Sequence, residues 1–240
     1  MAEPGPPDGR FLVSEIYKTI QGESSLVGYP TIFVRLYTCN LRCVWCDSMH
    51  AVEGGRYEEM SVADTVRRVG DLAGAGIDHV CWTGGEPLLQ WRSMAQAIDA
   101  LPPNFVHSVE TDGEVPIEPL SVALPRRREG GHVRFIMDVK CPGSGMRAKL
   151  AFENLKLLRP EDEVKFVIAD RADYEFSRDV LQDHAIPART ILFSPAMPAH
   201  KVNQGLDPAQ LAAWILEDRL PVRFQTQLHK HIWGPARKGV

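Results

Sequence analysis

Apolar and polar positions along the chain switch repeatedly between a two-residue and a helical period. Residues 11–17 and 31–37 are rich in β-branched and aromatic side chains and read as strands. A long loop is expected from Cys39 to about Met60. Ser61, followed three residues on by Asp64, marks a helix start, and the glycines at 74 and 76 mark its end. The pattern then predicts a strand over 79–82, a helix over 88–100, strands over 105–109 and 133–139, and a helix over 146–158. A strand over 163–168, a helix over 171–182, a strand over 190–193, a helix over 209–216 and a strand over 222–227 complete it.

Repeated strand–helix alternation predicts an α/β fold, with mostly parallel strands and helices outside. Right-handed crossovers curl such a sheet into a partial, open TIM-like barrel. One domain is expected over residues 11–240, behind a Pro- and Gly-rich tail at 1–10 that reads as disordered. In such sheets ligands sit at the C-terminal ends of the strands. Cys39, the Gly84-Gly85-Glu86 turn, Glu110, Asp138, Lys140, Gln225 and Gln227 all fall at predicted strand ends. They are therefore expected to share one rim. In the last strand, Arg223, Gln225, Gln227 and His229 alternate with more apolar residues, which predicts one polar face.

A net charge of −4 argues against a nucleic-acid partner. The one dense basic run, Pro125 to Arg128, reads as a solvated loop. No apolar run approaches the roughly 20 residues that span a bilayer, and the tail has no signal-peptide core, so a cytoplasmic protein is expected. Three of the five cysteines crowd into Cys39-Asn40-Leu41-Arg42-Cys43-Val44-Trp45-Cys46. So compact a loop can wrap one metal site. Structural zinc would need a fourth ligand, for which Cys81, Cys141 and His50 are the candidates. Cys81, in an apolar strand, and Cys141 read more simply as structural. A 4Fe–4S cluster held by Cys39, Cys43 and Cys46 alone keeps one iron open for a substrate.

That Cys-x3-Cys-x2-Cys loop resembles the radical S-adenosylmethionine superfamily, with Trp45 at its usual aromatic position. The resemblance implies that the open iron binds S-adenosylmethionine and that a 5′-deoxyadenosyl radical abstracts hydrogen from the substrate. It also assigns Gly84, Gly85 and Glu86 to the cofactor's amino group, and Glu110, Asp138, Lys140 and Lys165 to the rest of S-adenosylmethionine. For Lys165, inside an apolar strand, a core ion pair is an equal reading.

Across nearly the whole chain the resemblance is to the 7-carboxy-7-deazaguanine synthases. It rests on Gln21-Gly22-Glu23-Ser24, Cys46-Asp47-Ser48, Thr83-Gly84-Gly85-Glu86-Pro87 and Gln227-Leu228-His229. It implies conversion of 6-carboxy-5,6,7,8-tetrahydropterin to 7-carboxy-7-deazaguanine with ring contraction and loss of ammonia, in queuosine and 7-deazapurine biosynthesis. It further implies Mg²⁺ on Ser48, an external flavodoxin-like electron donor and a homodimer. Glu23 suits the pterin's paired N–H donors, framed by Gln21 and Gly22, Arg35 and His229 suit its carboxylate or carbonyl, and Gln227 joins them as a substrate-binding residue. Asp47 stands between a site role and capping the cluster loop. Two features depart from the family: residues 234–240 extend the C-terminus with Arg237 and Lys238, and the charged stretch 126–131 has no counterpart. A glycyl-radical activating enzyme, and a non-catalytic Fe–S or zinc module, remain the competing readings.

Overall fold

The computed structural model describes residues 7–146, 151–198 and 205–234. The expected tail, the start of the helix expected at 146–158, and the extension beyond Gly234 lie wholly or mostly outside the described residues. β1 (Arg10–Ile20) and β2 (Pro30–Leu36) form an antiparallel hairpin, and β3 (Glu58–Ser61) pairs antiparallel with β1's other edge. From β2 onward the neighbours run parallel through β4 (His79–Gly84), β5 (Val106–Thr111), β6 (Val133–Asp138), β7 (Glu163–Ile168), β8 (Thr190–Pro195) and the short β9 (Arg223–Phe224). Between them lie α1 (Val62–Ala73), α2 (Trp91–Ala100), α3 (Glu118–Ala123), α4 (Pro125–Glu129), α5 (Ala151–Leu155), α6 (Arg171–Asp183) and α7 (Pro208–Asp218), with α8 (Leu228–Trp233) closing the described chain. The expected partial barrel is the architecture found.

Strand periodicity divides the sheet into two faces. Ile32, Val34, Leu36, Val80, Trp82, Val109, Phe135, Met137, Val164, Phe166 and Phe193 belong to one buried apolar cluster. Val69 and Ala73 of α1, Met94 and Ile98 of α2, Tyr174 of α6 and Leu211 of α7 complete it. The alternate positions face inward and are largely polar: Tyr17, Thr19, Arg35, Thr83, Glu110, Asp138, Lys165 and Ser194 line a cavity. The fold thus places its apolar core between sheet and helices and its chemistry inside the curl.

Local signals explain most elements. The Ser61 hydroxyl accepts from Asp64 N (3.1 Å), capping α1, whose Thr65, Val69 and Ala73 bury one face at four-residue spacing. Three expectations need correction. Residues 58–60, placed in the loop, begin β3, a four-residue edge strand with two exposed glutamates and no clear alternation. The last strand ends at Phe224: Gln225 N still donates to Phe193 O (3.0 Å), but the Gln225 side chain is turned to the backbone of Ser24 and the ladder goes no further. His229 therefore sits on α8, and the period-two polar face across Arg223 to His229 does not form.

The third correction concerns the basic run. Residues 125–129 form α4 and Arg128 is fully buried. Its guanidinium donates to both carboxylate oxygens of Asp162 (2.6 and 2.7 Å) and to Val133 O, and lies over the Phe135 ring. Asp162 also accepts from Phe135 N and Arg159 N. Arg127 donates to the carbonyls of Ile98 and Leu101 at the end of α2. Arginines that terminate a helix and pin a strand look, by sequence alone, like a solvated loop.

Deeper on the inner face, buried His79 lies between Thr31 Oγ1 (2.7 Å) and Ser108 Oγ (3.0 Å). Burial, helped by the charge of Arg134, pushes its pKa down to about 4. Below the ordinary histidine range, around pH 6.5, the unfolded chain takes up a proton that the folded chain refuses. Stability is therefore lost as pH falls from about 6.5 towards 4, at up to about 1.4 kcal/mol per pH unit for this residue. In urea unfolding across that range, His79→Gln is expected to flatten the pH dependence relative to the natural chain; parallel curves would refute a neutral His79. Arg128→Ala leaves Asp162 buried without its partner and is expected to cost about 3–5 kcal/mol in the same measurement. A loss below about 1 kcal/mol would show that the pair is dispensable.

Candidate active site

The cluster loop hangs from the end of β2 and is fastened at several points. Thr38 N donates to Ala51 O (2.8 Å), and Val44 N donates to Ser144 O (3.0 Å). Gly85 N and Glu86 N donate to Leu36 O and Thr38 O. A Cβ on Gly84 would stand 2.0 Å from Leu36 O, and one on Gly85 2.0 Å from Thr38 O and 2.9 Å from Cys39 Cβ. The two glycines therefore let the β4 turn lie against the root of the cysteine loop, a closer reason for them than approach to a ligand.

Cys39, Cys43 and Cys46 all line the inner cavity, of about 410 Å³, and none is in a disulfide. Burial pushes the Cys39 thiol up to about 12, with the Asp112 carboxylate adding to the shift, and raises Cys43 and Cys46 as well. Three thiolates are unfavourable here without a cation to hold, so the donor set suits a thiophilic metal, iron among them. Among the described residues no three metal-binding side chains gather on the point a single ion would occupy. A polynuclear cluster, with an iron for each sulfur, does not require that convergence. Cys81 and Cys141 are buried off the cavity wall, and His50 is engaged with Glu15.

The structure brings the remaining candidates together, with one exception. Gly84, Gly85, Glu110, Asp138, Lys140 and Lys165 line the cavity, and so do Gln21, Gly22, Glu23, Arg35, Ser48, Gln227 and His229. Glu86 does not: its fully buried carboxylate accepts from Leu88 N, Asp112 N and the Thr111 hydroxyl, tying the β4 and β5 ends together. Burial, then the neighbouring Asp112, drives its pKa well above the carboxylate range. The Lys140 ammonium donates to Asp138 Oδ2 (2.9 Å). Burial works against its charge, but Asp138 and the Cys43 sulfur outweigh that and raise its pKa.

Glu23 is the most constrained of these groups. Lys165 Nζ donates to Oε2 (2.8 Å) and Gln227 Nε2 to Oε1 (2.6 Å), with both charged side chains about 15% exposed. Burial favours the neutral acid, but Lys165 and Gln227 overcome it and hold the pKa below the ordinary value. Leu228 N donates to Gly22 O, and a Cβ on Gly22 would stand 2.1 Å from His229 Nδ1. Glycine at 22 thus lets the His229 ring pack on the Glu23 segment. Arg35 donates to Glu15, Ser48 and Tyr17. Sequence reasoning gave no place in the cavity to Glu15, Tyr17, Thr19, Thr83 and Ser194, and weighed His50 only as a fourth zinc ligand; all six line the cavity. The alternation of Glu15, Tyr17 and Thr19 along β1 carried that signal.

A sequence profile of the radical SAM superfamily matches residues 34–124. A curated 7-carboxy-7-deazaguanine synthase from Koribacter versatilis is 43% identical, over 95% of this chain and 99% of its own. One from Chlorobaculum tepidum is 38% identical, over 95% and 96%. The chain belongs to the 7-carboxy-7-deazaguanine synthase family. A crystal structure of QueE from Escherichia coli superposes with a TM-score of 0.66 at 20% identity, covering 92% of this chain and 95% of that one, so the fold is shared. Family membership brings the radical S-adenosylmethionine chemistry with it, and with that a 4Fe–4S cluster and S-adenosylmethionine as cofactors.

The Gly85 contact makes a direct prediction. Gly85→Ala must displace Thr38 or Cys39, so its iron content and the visible absorbance of the reconstituted cluster are expected to fall well below those of the natural chain. Normal loading would show that the loop tolerates the intrusion.

Proposed function

We propose that this chain converts 6-carboxy-5,6,7,8-tetrahydropterin to 7-carboxy-7-deazaguanine, contracting the ring and releasing ammonia. The reading is carried by one observation. A pinned, ionised Glu23 shares a cavity with three cysteines, a guanidinium and an imidazole. When bound, the cluster on Cys39, Cys43 and Cys46 supplies the electron that cleaves S-adenosylmethionine to the hydrogen-abstracting radical.

The chain's own residues bind and orient. Both Glu23 oxygens keep a lone pair for the pterin's amino group and ring N–H, beside Gln21 and Gly22. Gln227 and His229 close over the same ring, and Arg35 faces its carboxylate. Glu110, Asp138, Lys140 and Lys165 flank S-adenosylmethionine, while Gly84 and Gly85 shape the turn beside it. Lys165 also serves Glu23, so it sits between the two ligands. The Ser48 hydroxyl accepts from Arg35 Nη1 (3.2 Å) and donates to Asp47 Oδ1 (3.1 Å), leaving a lone pair for Mg²⁺. Burial notwithstanding, Lys230 and then Arg35 hold the Asp47 pKa down at about 2, so a carboxylate stands beside that hydroxyl.

The protein acts as one domain in the cytoplasm, as a homodimer served by an external flavodoxin-like reductant, without nucleic acid or membrane. Among the described residues no helix is long and apolar enough to cross a membrane. Anaerobic reconstitution with dithionite, S-adenosylmethionine, Mg²⁺ and the carboxypterin tests the reaction. 5′-Deoxyadenosine and 7-carboxy-7-deazaguanine are both expected by mass spectrometry. Deoxyadenosine without the deazaguanine would reject the substrate. Glu23→Gln keeps the shape and loses the charge, so kcat/KM for the pterin is expected to fall about 10–100-fold. An unchanged kcat/KM would remove Glu23 from pterin recognition.

A further inference from the structure

Glu15, on β1, carries no role in the assignments above, yet two site elements meet on its Oε1 atom. Arg35 Nε donates to it at 2.8 Å, and His50 Nε2 lies 3.3 Å away. All three side chains are three-quarters buried or more. Arg35 is a rigid planar fork, so fixing Nε fixes where both Nη groups point. From that anchor Nη1 reaches the Ser48 hydroxyl at 3.2 Å and Nη2 the Tyr17 hydroxyl at 2.9 Å. His50 follows Ser48 by two residues and lies in the 3-10 turn Met49–Ala51. Its Nδ1 is buried and has no hydrogen-bond partner among the described residues, so the contact with Glu15 is the one that orients the ring.

We propose that Glu15 is a positioning residue for substrate and Mg²⁺: one carboxylate aims Arg35 at Ser48 and holds the turn that carries Ser48. The proposal rests on the reading of Arg35 and Ser48 as the substrate-carboxylate and Mg²⁺ groups. Its chemistry is that of an outer partner that sets a ligand's direction, a role whose loss typically weakens metal affinity or activity about 10–100-fold. A carboxylate is needed because it neutralises the guanidinium beside a cation site, and an amide does not.

The test uses cluster-loaded protein without reductant, titrated with fluorescent 6-carboxypterin with and without Mg²⁺. Glu15→Gln preserves volume and an acceptor oxygen, and Glu15→Ala removes both. Both are expected to raise the Kd for 6-carboxypterin about tenfold in Mg²⁺, and much less without it. In turnover, KM for the carboxypterin and the Mg²⁺ requirement should rise while kcat changes little. Iron content and thermal midpoint report folding separately. In an Arg35→Met background the Glu15→Gln change is expected to lose most of its effect, keeping only the part that runs through His50 and the Ser48 turn. If Arg35→Met and Ser48→Ala weaken Mg²⁺-dependent binding but Glu15→Gln does not, the role of Glu15 is overturned alone. If neither Arg35→Met nor Ser48→Ala alters binding, the pocket assignment falls and the proposal with it. A loss equal with and without Mg²⁺, undiminished in the Arg35→Met background, would reduce Glu15 to a structural residue.

Discussion

The ion pair between Glu23 and Lys165 is the constraint on which the site depends. Lys165 stands on the inner face of β7, where an unpaired ammonium is costly. The segment after β1 folds across the open curl and brings Glu23 to it. Flanking bonds make that crossing stiff. Glu163, two residues before Lys165, accepts from the backbone and hydroxyl of Ser25, and Gln21 donates to Glu110 on β5. Buried ion pairs seldom add much net stability, because desolvation offsets their attraction. This one instead orients a carboxylate in the cavity before any ligand arrives, which lowers the ordering cost of binding.

The chain's far end completes the same structure. Gln225 makes two bonds with the Ser24 backbone, and Gln227 reaches Glu23 across more than 200 residues of sequence. Lys230, at 3.5 Å, then meets Asp47 of the cluster loop. The first and last parts of the chain therefore wall the cavity together, while the parallel strands between them supply its floor and back. The end strands β3 and β9 of this open sheet do not pair, so side chains and one backbone bond, Leu228 N to Gly22 O, close it instead.

Much of this was legible from residue order. Strand and helix periods are local, and so are the Ser61 cap and the three cysteines within one loop. The family resemblance left cavity residues such as Glu15, Tyr17 and Ser194 unnamed; those it did name, through short motifs, line the cavity with one exception, Glu86. That glutamate lies in the right motif, yet its carboxylate is spent on the backbone of the next strand end. Arg128 was misread for a related reason. A charged run looks solvated until the fold supplies Asp162 from 34 residues away.

The sequence by itself determined the alternation of elements, the curl of a mostly parallel sheet, the cluster-binding loop and the family. These follow from contacts within a few residues, or from motifs whose spacing is their own evidence. Tertiary structure decided where the last strand stops, that His229 rides a helix, and why Gly22 and Gly85 have no side chain. It also decided which inner-face polar groups meet, including Glu15 with Arg35 and His50. Each of these is a distance between segments remote in sequence, set by how the sheet twists and closes, and no local pattern encodes such a distance.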